Sequence, residues 1–316
     1  MLTEILERYA ENRRVIGFTS DNELPHESNM LENYMSIDPS VPCNVFSYAV
    51  AWSFLSARTN KCSPTFDDIT TELREEFKCL IFTKALGAVK KSIDTYAKGR
   101  MYLGNRTDAA NKRSEGYLRA AGYCCDMLSI NMYDGMEPSV ETMSIMYRYS
   151  GKPFFVTEFY SKAEDAYDMN GQKLGNQQNA GWLVRTQKDR ASYYQNYTLL
   201  LLECKYCVGW TWFTFRDNDQ SLYYPSEDDH SKILRVWQKG QNFNVVSFID
   251  QDDNVVPATG NEFRFYAGIT HDMSSIGSNK GLLDNKTNFY PELSSAFKRV
   301  SDNMMGLVRY FDDLHK

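Results

Sequence analysis

From the N-terminus to about Phe213, the apolar positions fall into two alternating patterns: short uninterrupted runs, and longer stretches with a period near 3.6. Short apolar runs bounded by polar clusters predict buried parallel strands, and the 3.6 period predicts amphipathic helices packed over them. Met1 to Arg14 reads as a helix and Val15 to Thr19 as the first strand, which opens into the polar loop Ser20 to Pro25. After short helices around Val45 to Arg58, Ile69, Leu73, Phe77, Leu80, Ile81, Ala88, Val89 and Ile93 recur at helical spacing. Asp67 or Asp68 is the expected cap and Gly99 the stop, giving one long helix or two in succession.

The next strand is Met101 to Gly104, ending in Asn105-Arg106. A helix at Glu115 to Ala121 leads to the strand Met127 to Tyr133, and a helix at Val140 to Tyr149 leads to Lys152 to Glu158. The polar stretch Tyr160 to Arg185 is too long for a plain connector and is expected to be functional. Thr186 and Asp189 have capping-box spacing for a helix that runs to about Glu203, and Val208 to Phe213 is the last strand of the series. Strands alternating with helices, each strand ending in a polar cluster, indicate parallel βα units. In a (β/α)8 TIM barrel those C-terminal ends carry the chemistry.

Beyond this point the rhythm changes. Ile233 to Trp237, Asn244 to Ile249 and Glu262 to Tyr266 read as a small antiparallel β insertion, residues 221–279, in the loop after the last strand. Pro291 opens a final helix with Leu293, Phe297, Val300, Met304, Leu307, Val308 and Phe311 on one face. No repeat or linker divides the chain, so residues 1–316 are expected to form one catalytic domain.

Composition narrows the functional classes. The 316 residues are 42% hydrophobic and 24% charged, with 21 Tyr, 18 Phe and 5 Trp, which suits a globular chain with a sizeable core. The net charge of −6, without long blocks of either sign, argues against nucleic acid as a partner. No apolar run approaches the length of a membrane span, and the N-terminal stretch lacks the apolar core of a signal peptide, which implies a cytoplasmic address only if Met1 is the natural start. The seven cysteines are odd in number and scattered, unlike a disulfide framework. Cys204 and Cys207 form a CxxC without a second pair or a nearby His. His26, His230, His271 and His315 show no metal spacing, and Asp250 to Asp253 lacks the Gly and terminal Glu of a calcium loop. No metal and no organic cofactor is expected.

Glu23 and Glu158 each follow a predicted strand directly and so would project from one barrel rim. Glycoside hydrolysis needs such a pair, one carboxylic acid to protonate the leaving oxygen and one carboxylate to attack or to activate water. Asn22 beside Glu23 is placed to hold a sugar hydroxyl, Tyr133 to hydrogen-bond the attacking carboxylate, and Trp210 and Trp212, on one strand face, to floor a sugar site. A Glu at a strand end is equally the mark of a solvated rim residue.

Gly17 to Leu24, Tyr102 to Arg106, Asp126 to Tyr133, Lys152 to Phe159, Gln187 to Tyr197, Val208 to Asp219, Asn279 to Leu282 and Tyr290 to Leu293 together resemble bacterial β-agarases of glycoside hydrolase family 50 and their clan A relatives. The resemblance implies a retaining β-glycosidase acting on β-galactosidic linkages, with Glu23 as acid/base, Glu158 as nucleophile, and Asn22 and Tyr133 in support. It also implies Trp212, and less directly Trp210, at the substrate. Asn105, Arg106, Asn131 and Asp217 are further candidates for sugar contacts, with loop-holding roles the equal alternative.

By the same resemblance Val15 to Thr19 corresponds to the fourth barrel strand, so the chain is expected to be a TIM barrel lacking its first three βα units. It would then be the C-terminal part of a longer enzyme, cut by a gene boundary or a frameshift. Two other readings stay open. One is a non-catalytic carbohydrate-binding remnant. The other is a structural partner that completes a barrel with a separate N-terminal fragment; a homo-oligomer is the other open partner.

Overall fold

The computed structural model describes residues 2–24, 27–107, 111–133, 135–167, 171, 173–174, 176, 180–217, 247–249, 255–257 and 278–314. In chain order the elements begin with α1 (Leu2–Tyr9), β1 (Gly17–Phe18), α2 (Met30–Ser36), α3 (Val45–Thr59), α4 (Thr71–Tyr96), β2 (Met101–Tyr102) and β3 (Arg106–Thr107). Next come α5 (Glu115–Cys124), β4 (Leu128–Asn131), α6 (Val140–Ser150), β5 (Phe154–Glu158), β6 (Ser161–Ala163) and β7 (Trp182–Val184). The series ends with α7 (Gln187–Glu203), β8 (Cys207–Trp210), β9 (Ser247–Ile249), β10 (Val255–Pro257) and α8 (Pro291–Leu314). They fall into two compact units, Met1–Met132 with Pro138–Glu158 and Leu200–Thr211, and Tyr133–Glu137 with Phe159–Leu199 and Trp212–Lys316.

The first unit holds the parallel strands β1 to β5 and β8. β1 pairs with β2, and β3, β4, β5 and β8 form a sheet in that order, every pairing parallel. Helices separate the successive strands because a parallel pair needs a crossover connection rather than a tight turn. All four residues of β4 are buried, the mark of a strand covered on both faces.

The strand expected over Met101 to Gly104 splits in two. Gly104 adopts φ +73, a left-handed conformation that a side chain resists, and a Cβ there would stand 3.3 Å from the Cys125 sulfur. Before the break Leu103 N–H bonds to the Phe18 carbonyl, and beyond it Arg106 N–H bonds to the Asp21 carbonyl. The ladder therefore continues along the loop after β1 and carries it out to Glu23.

The periodicity over Ile69 to Ile93 is one helix, α4. Its cap is Thr70, whose hydroxyl accepts from Leu73 N–H at 3.3 Å, and not Asp67 or Asp68. Those aspartates belong to a separate turn of 3-10 helix, Phe66–Asp68, closed by its own capping box from Thr65. Residue 69 is extended between the two, which starts the long helix afresh.

In the second unit, β6 and β7 form a parallel pair inside the stretch that reads in sequence as an uninterrupted polar loop. Thr186 and Asp189 make the expected capping box, with Thr186 N–H donating to the Asp189 carboxylate at 3.1 Å and Asp189 N–H to the Thr186 hydroxyl at 3.2 Å. Phe159 stacks on Tyr197 at 4.8 Å, and Tyr194 stacks on Phe297 of α8 at 3.8 Å. Such pairs add about 0.5–1.5 kcal/mol each beyond the area they bury. α8 buries Leu293, Ala296 and Val300, while Met304, Leu307, Val308 and Phe311 of the expected apolar face are half-buried or exposed. β9 and β10 form an antiparallel pair. Ile233 to Trp237, Asn244, Asp250 to Asp253, Glu262 to Tyr266 and the four histidines lie outside the described residues.

Candidate active site

The first unit builds a polar cluster at the C-terminal ends of its strands, beginning with the loop after β1. Asn22 bridges to Arg106 in parallel fashion, and Glu23 donates its backbone N–H to the Arg106 carbonyl at 2.8 Å. Glu23 takes φ +49, a left-handed conformation that costs a residue with a Cβ roughly 1–2 kcal/mol. Such strain persists where surroundings hold it, and it concentrates at functional sites. The Glu23 carboxylate accepts from Asn131 Nδ2 at 2.7 Å, and the residue as a whole is exposed.

Glu158 ends β5. Strand alternation puts it on the same face as the buried Phe154 and Val156, and it is only 6% exposed. A carboxylate this buried needs a charged or hydrogen-bonding partner. Arg106 supplies one, with Nη1 2.7 Å from Oε1. Arg106 therefore serves both glutamates, through its carbonyl for Glu23 and its guanidinium for Glu158. Sequence reasoning offered it as a sugar contact; the structure puts its charge on the second carboxylate.

Asn131, at the end of β4, is fully buried and in register with Glu158, whose carbonyl accepts Met132 N–H at 2.8 Å. Its Nδ2 donates to Asn22 Oδ1 at 3.1 Å as well as to Glu23, and its Oδ1 accepts from the Thr157 hydroxyl at 2.8 Å. A carboxamide carries two N–H groups, and both are taken up here by residues of the chain. Buried Lys112 adds a long bond, 3.4 Å, to the Asn131 carbonyl. Sequence reasoning missed Thr157 and Lys112. A threonine inside an apolar strand is ordinary, and only the register of β4 against β5 brings Thr157 beside Asn131.

The remaining candidates are placed differently. Asn105 lies just before β3 and makes contacts different from those of Arg106. Its Oδ1 accepts from Thr107, and that hydroxyl pairs at 2.6 Å with Tyr117 of α5, so Asn105 belongs to the strand-to-helix packing. Trp210 is the last residue of β8, in register with Val156. β8 ends there, so the alternation expected to put Trp212 on the same strand face does not extend to it.

Trp212, Tyr133 and Asp217 are in the second unit. Trp212 donates Nε1–H to the Lys280 carbonyl at 2.7 Å, and its ring meets Phe159 and Phe297 edge-on. Tyr133 packs edge-on against Tyr160. Asp217 is buried, and its carboxylate accepts from Asn279 Nδ2, Gly281 N–H and the Tyr290 hydroxyl. Burial pushes its carboxyl above the ordinary value, against the nearby Arg190 charge and these hydrogen bonds, which pull it down. This is the pattern of a carboxylate that holds a fold together.

Burial pushes the Cys207 thiol up to about 12 and raises that of Cys204, which disfavours the thiolate that zinc requires. Among the described residues no group of three or more His, Cys, Asp and Glu could hold a metal ion, and no helix is long and apolar enough to cross a membrane.

The structure resembles those of glycoside hydrolase family 50. It is similar to the crystal structure of BpGH50, with 28% identity and a TM-score of 0.69, over 98% of this chain and 55% of that one. It also shares its fold with the agarase AgWH50C, at 14% identity and a TM-score of 0.61, and with an exo-β-agarase, at 16% and 0.62. These two matches cover 97% of this chain but only 39% and 38% of theirs. The chain thus spans about half the length of BpGH50. No protein-family model and no curated protein matches the sequence.

Proposed function

We propose that this chain carries the catalytic centre of a retaining β-glycosidase of β-agarase type, which hydrolyses β-galactosidic linkages of a polysaccharide or oligosaccharide. The observation that carries the reading is the pairing of Glu23 and Glu158, an exposed and a buried carboxylate tied to the same two residues, Arg106 and Asn131. In the first step a Glu158 oxygen attacks the anomeric carbon as the bond to the leaving oxygen breaks, and Glu23 transfers its proton to that oxygen. In the second, Glu23 takes a proton from water, the hydroxide adds to the anomeric carbon, and Glu158 leaves as carboxylate. Solvent exposure suits Glu23 to trading protons with water and a leaving group, and its ion pair suits Glu158 to remaining a carboxylate. Trp210, which ends β8 in the same unit as the glutamates, is the proposed substrate-facing aromatic, and the carbohydrate enters without metal or cofactor.

The short coverage of BpGH50 and the five consecutive parallel strand positions support a further part of this reading, that the site works in a (β/α)8 barrel completed by three further βα units. The test is hydrolysis of aryl β-galactosides and neoagaro-oligosaccharides by the full chain, alone and co-expressed with the N-terminal part of a family 50 enzyme. Turnover with net retention at the anomeric carbon is expected from the co-expressed pair. Inversion, or no turnover in that pair, would sink the proposal.

A further inference from the structure

We propose that Thr157 is a positioning residue for the acid/base, acting through the carboxamide of Asn131. The inference rests on the glycosidase reading of Glu23. Asn131 can sit in either of two orientations related by a half-turn, which exchange its oxygen and its NH2 group. With NH2 toward Glu23 it donates to one carboxylate oxygen. With oxygen toward Glu23 it accepts a proton from that same atom. The choice decides which carboxyl oxygen can carry the transferable proton.

Thr157 makes that choice. Its hydroxyl carries one proton and lies 2.8 Å from Asn131 Oδ1 and 2.9 Å from the Ile130 carbonyl; in the proposed arrangement that proton goes to the nearer acceptor, Oδ1. Donation to Oδ1 holds the carboxamide oxygen away from Glu23 and turns NH2 toward Glu23 Oε1 and Asn22 Oδ1, at 2.7 and 3.1 Å. The proton that Glu23 gives to the leaving group then sits on Oε2.

Thr157 is itself held in place. Its carbonyl accepts the Thr211 hydroxyl at 2.6 Å, and Thr211 N–H bonds to the Val156 carbonyl at 2.8 Å. Because Thr157 is also the neighbour of Glu158 in β5, the orientation of the acid/base is tied to the strand that bears the nucleophile.

The test compares wild type with Thr157→Val, which keeps the shape and β-branching but loses the hydroxyl, and with Thr157→Ser, which restores it. In the full chain labelled with 13C at glutamate carboxyl carbons, the Glu23 signal, assigned by its loss in Glu23→Gln, should move in Thr157→Val and return in Thr157→Ser. An unmoved Glu23 signal in folded Thr157→Val overturns the inference. In the active form, kcat/KM for an unactivated galactoside should fall about tenfold in Thr157→Val, the worth of one oriented hydrogen bond. With a dinitrophenyl galactoside, whose leaving group needs no proton, it should hold steady. Equal losses on both substrates would make the role merely structural and also overturn it. A Glu23 signal that moves in a protein without any turnover leaves the coupling standing and removes the glycosidase reading alone.

Discussion

Two polar clusters in this molecule are built from similar residues and behave differently. In the second unit, Arg190 is fully buried and donates Nε–H to the Ser161 carbonyl, Nη1–H to Gln187 and Nη2–H to the Gly281 carbonyl. Its guanidinium also lies over the rings of Trp212 and Tyr290, at 5.4 and 5.2 Å. Asp217, in the field of that charge, has both oxygens occupied by Asn279, Gly281 and Tyr290. In the first unit, Glu158 is buried against the half-exposed Arg106, while Glu23 is exposed and, among the described residues, accepts its side-chain bond on Oε1. A charged cluster whose groups are buried and bonded to one another holds a fold together. One that leaves a carboxylate oxygen toward solvent can exchange a proton with something that arrives.

Breaking each cluster should separate these roles. The largest expected effect is on turnover: Glu158→Gln and Glu23→Gln should each lower kcat on a galactoside with a poor leaving group by about 10⁴-fold. The exposed change, Glu23→Gln, should leave stability within about 0.5 kcal/mol in a denaturant titration. Parallel losses of activity and stability would contradict the assignment.

Asp217→Asn should do the reverse. Removing the main charge that offsets the burial of Arg190 should cost about 3–5 kcal/mol in unfolding free energy. If it retained full stability, the closed cluster would not be holding the fold.

Lys162 sharpens the comparison through pH. It is buried, and burial, with the Lys280 charge adding to it, lowers its ammonium pKa to about 8 from an ordinary 10.5. The unfolded chain therefore binds more protons between those values, and stability should rise as pH increases through that window. Below about pH 8 the penalty is complete, so Lys162→Met should be the more stable protein at neutral pH, by on the order of 3 kcal/mol, with the gap closing by pH 10.5. Thermal melts of both proteins across that range test it; a gap constant with pH would refute the buried-cation account. The smallest effect belongs to Tyr290→Phe. It removes one of the bonds to Asp217 and should cost about 1–2 kcal/mol, read by chemical denaturation.

Much of this was legible along the chain. The alternation of short apolar runs with 3.6-period stretches was enough for the parallel strands and their helices, because parallel strands are buried on both faces and must be joined by crossovers. Glu23 and Glu158 were visible as carboxylates directly following strands, and Thr186 with Asp189 as a capping box, because each is a local relation between neighbours in sequence. Thr70 was passed over for Asp67 and Asp68 because all three are good caps, and only the extended backbone at residue 69 separates them. The split at Gly104 was hidden because it depends on the close approach of Cys125.

The roles of the site residues required the tertiary structure. Arg106 and Asn105 are adjacent in sequence, yet one pairs with Glu158 and the other accepts from Thr107, whose hydroxyl meets Tyr117. Asn131 meets Thr157 and Glu23 only because β4 and β5 lie in one register, and Asp217 meets Asn279 and Tyr290 across a long stretch of chain. Periodicity is a property of one segment and can be read from it. Which donor meets which acceptor is a property of segments brought together, and pairing registers and packing decide it.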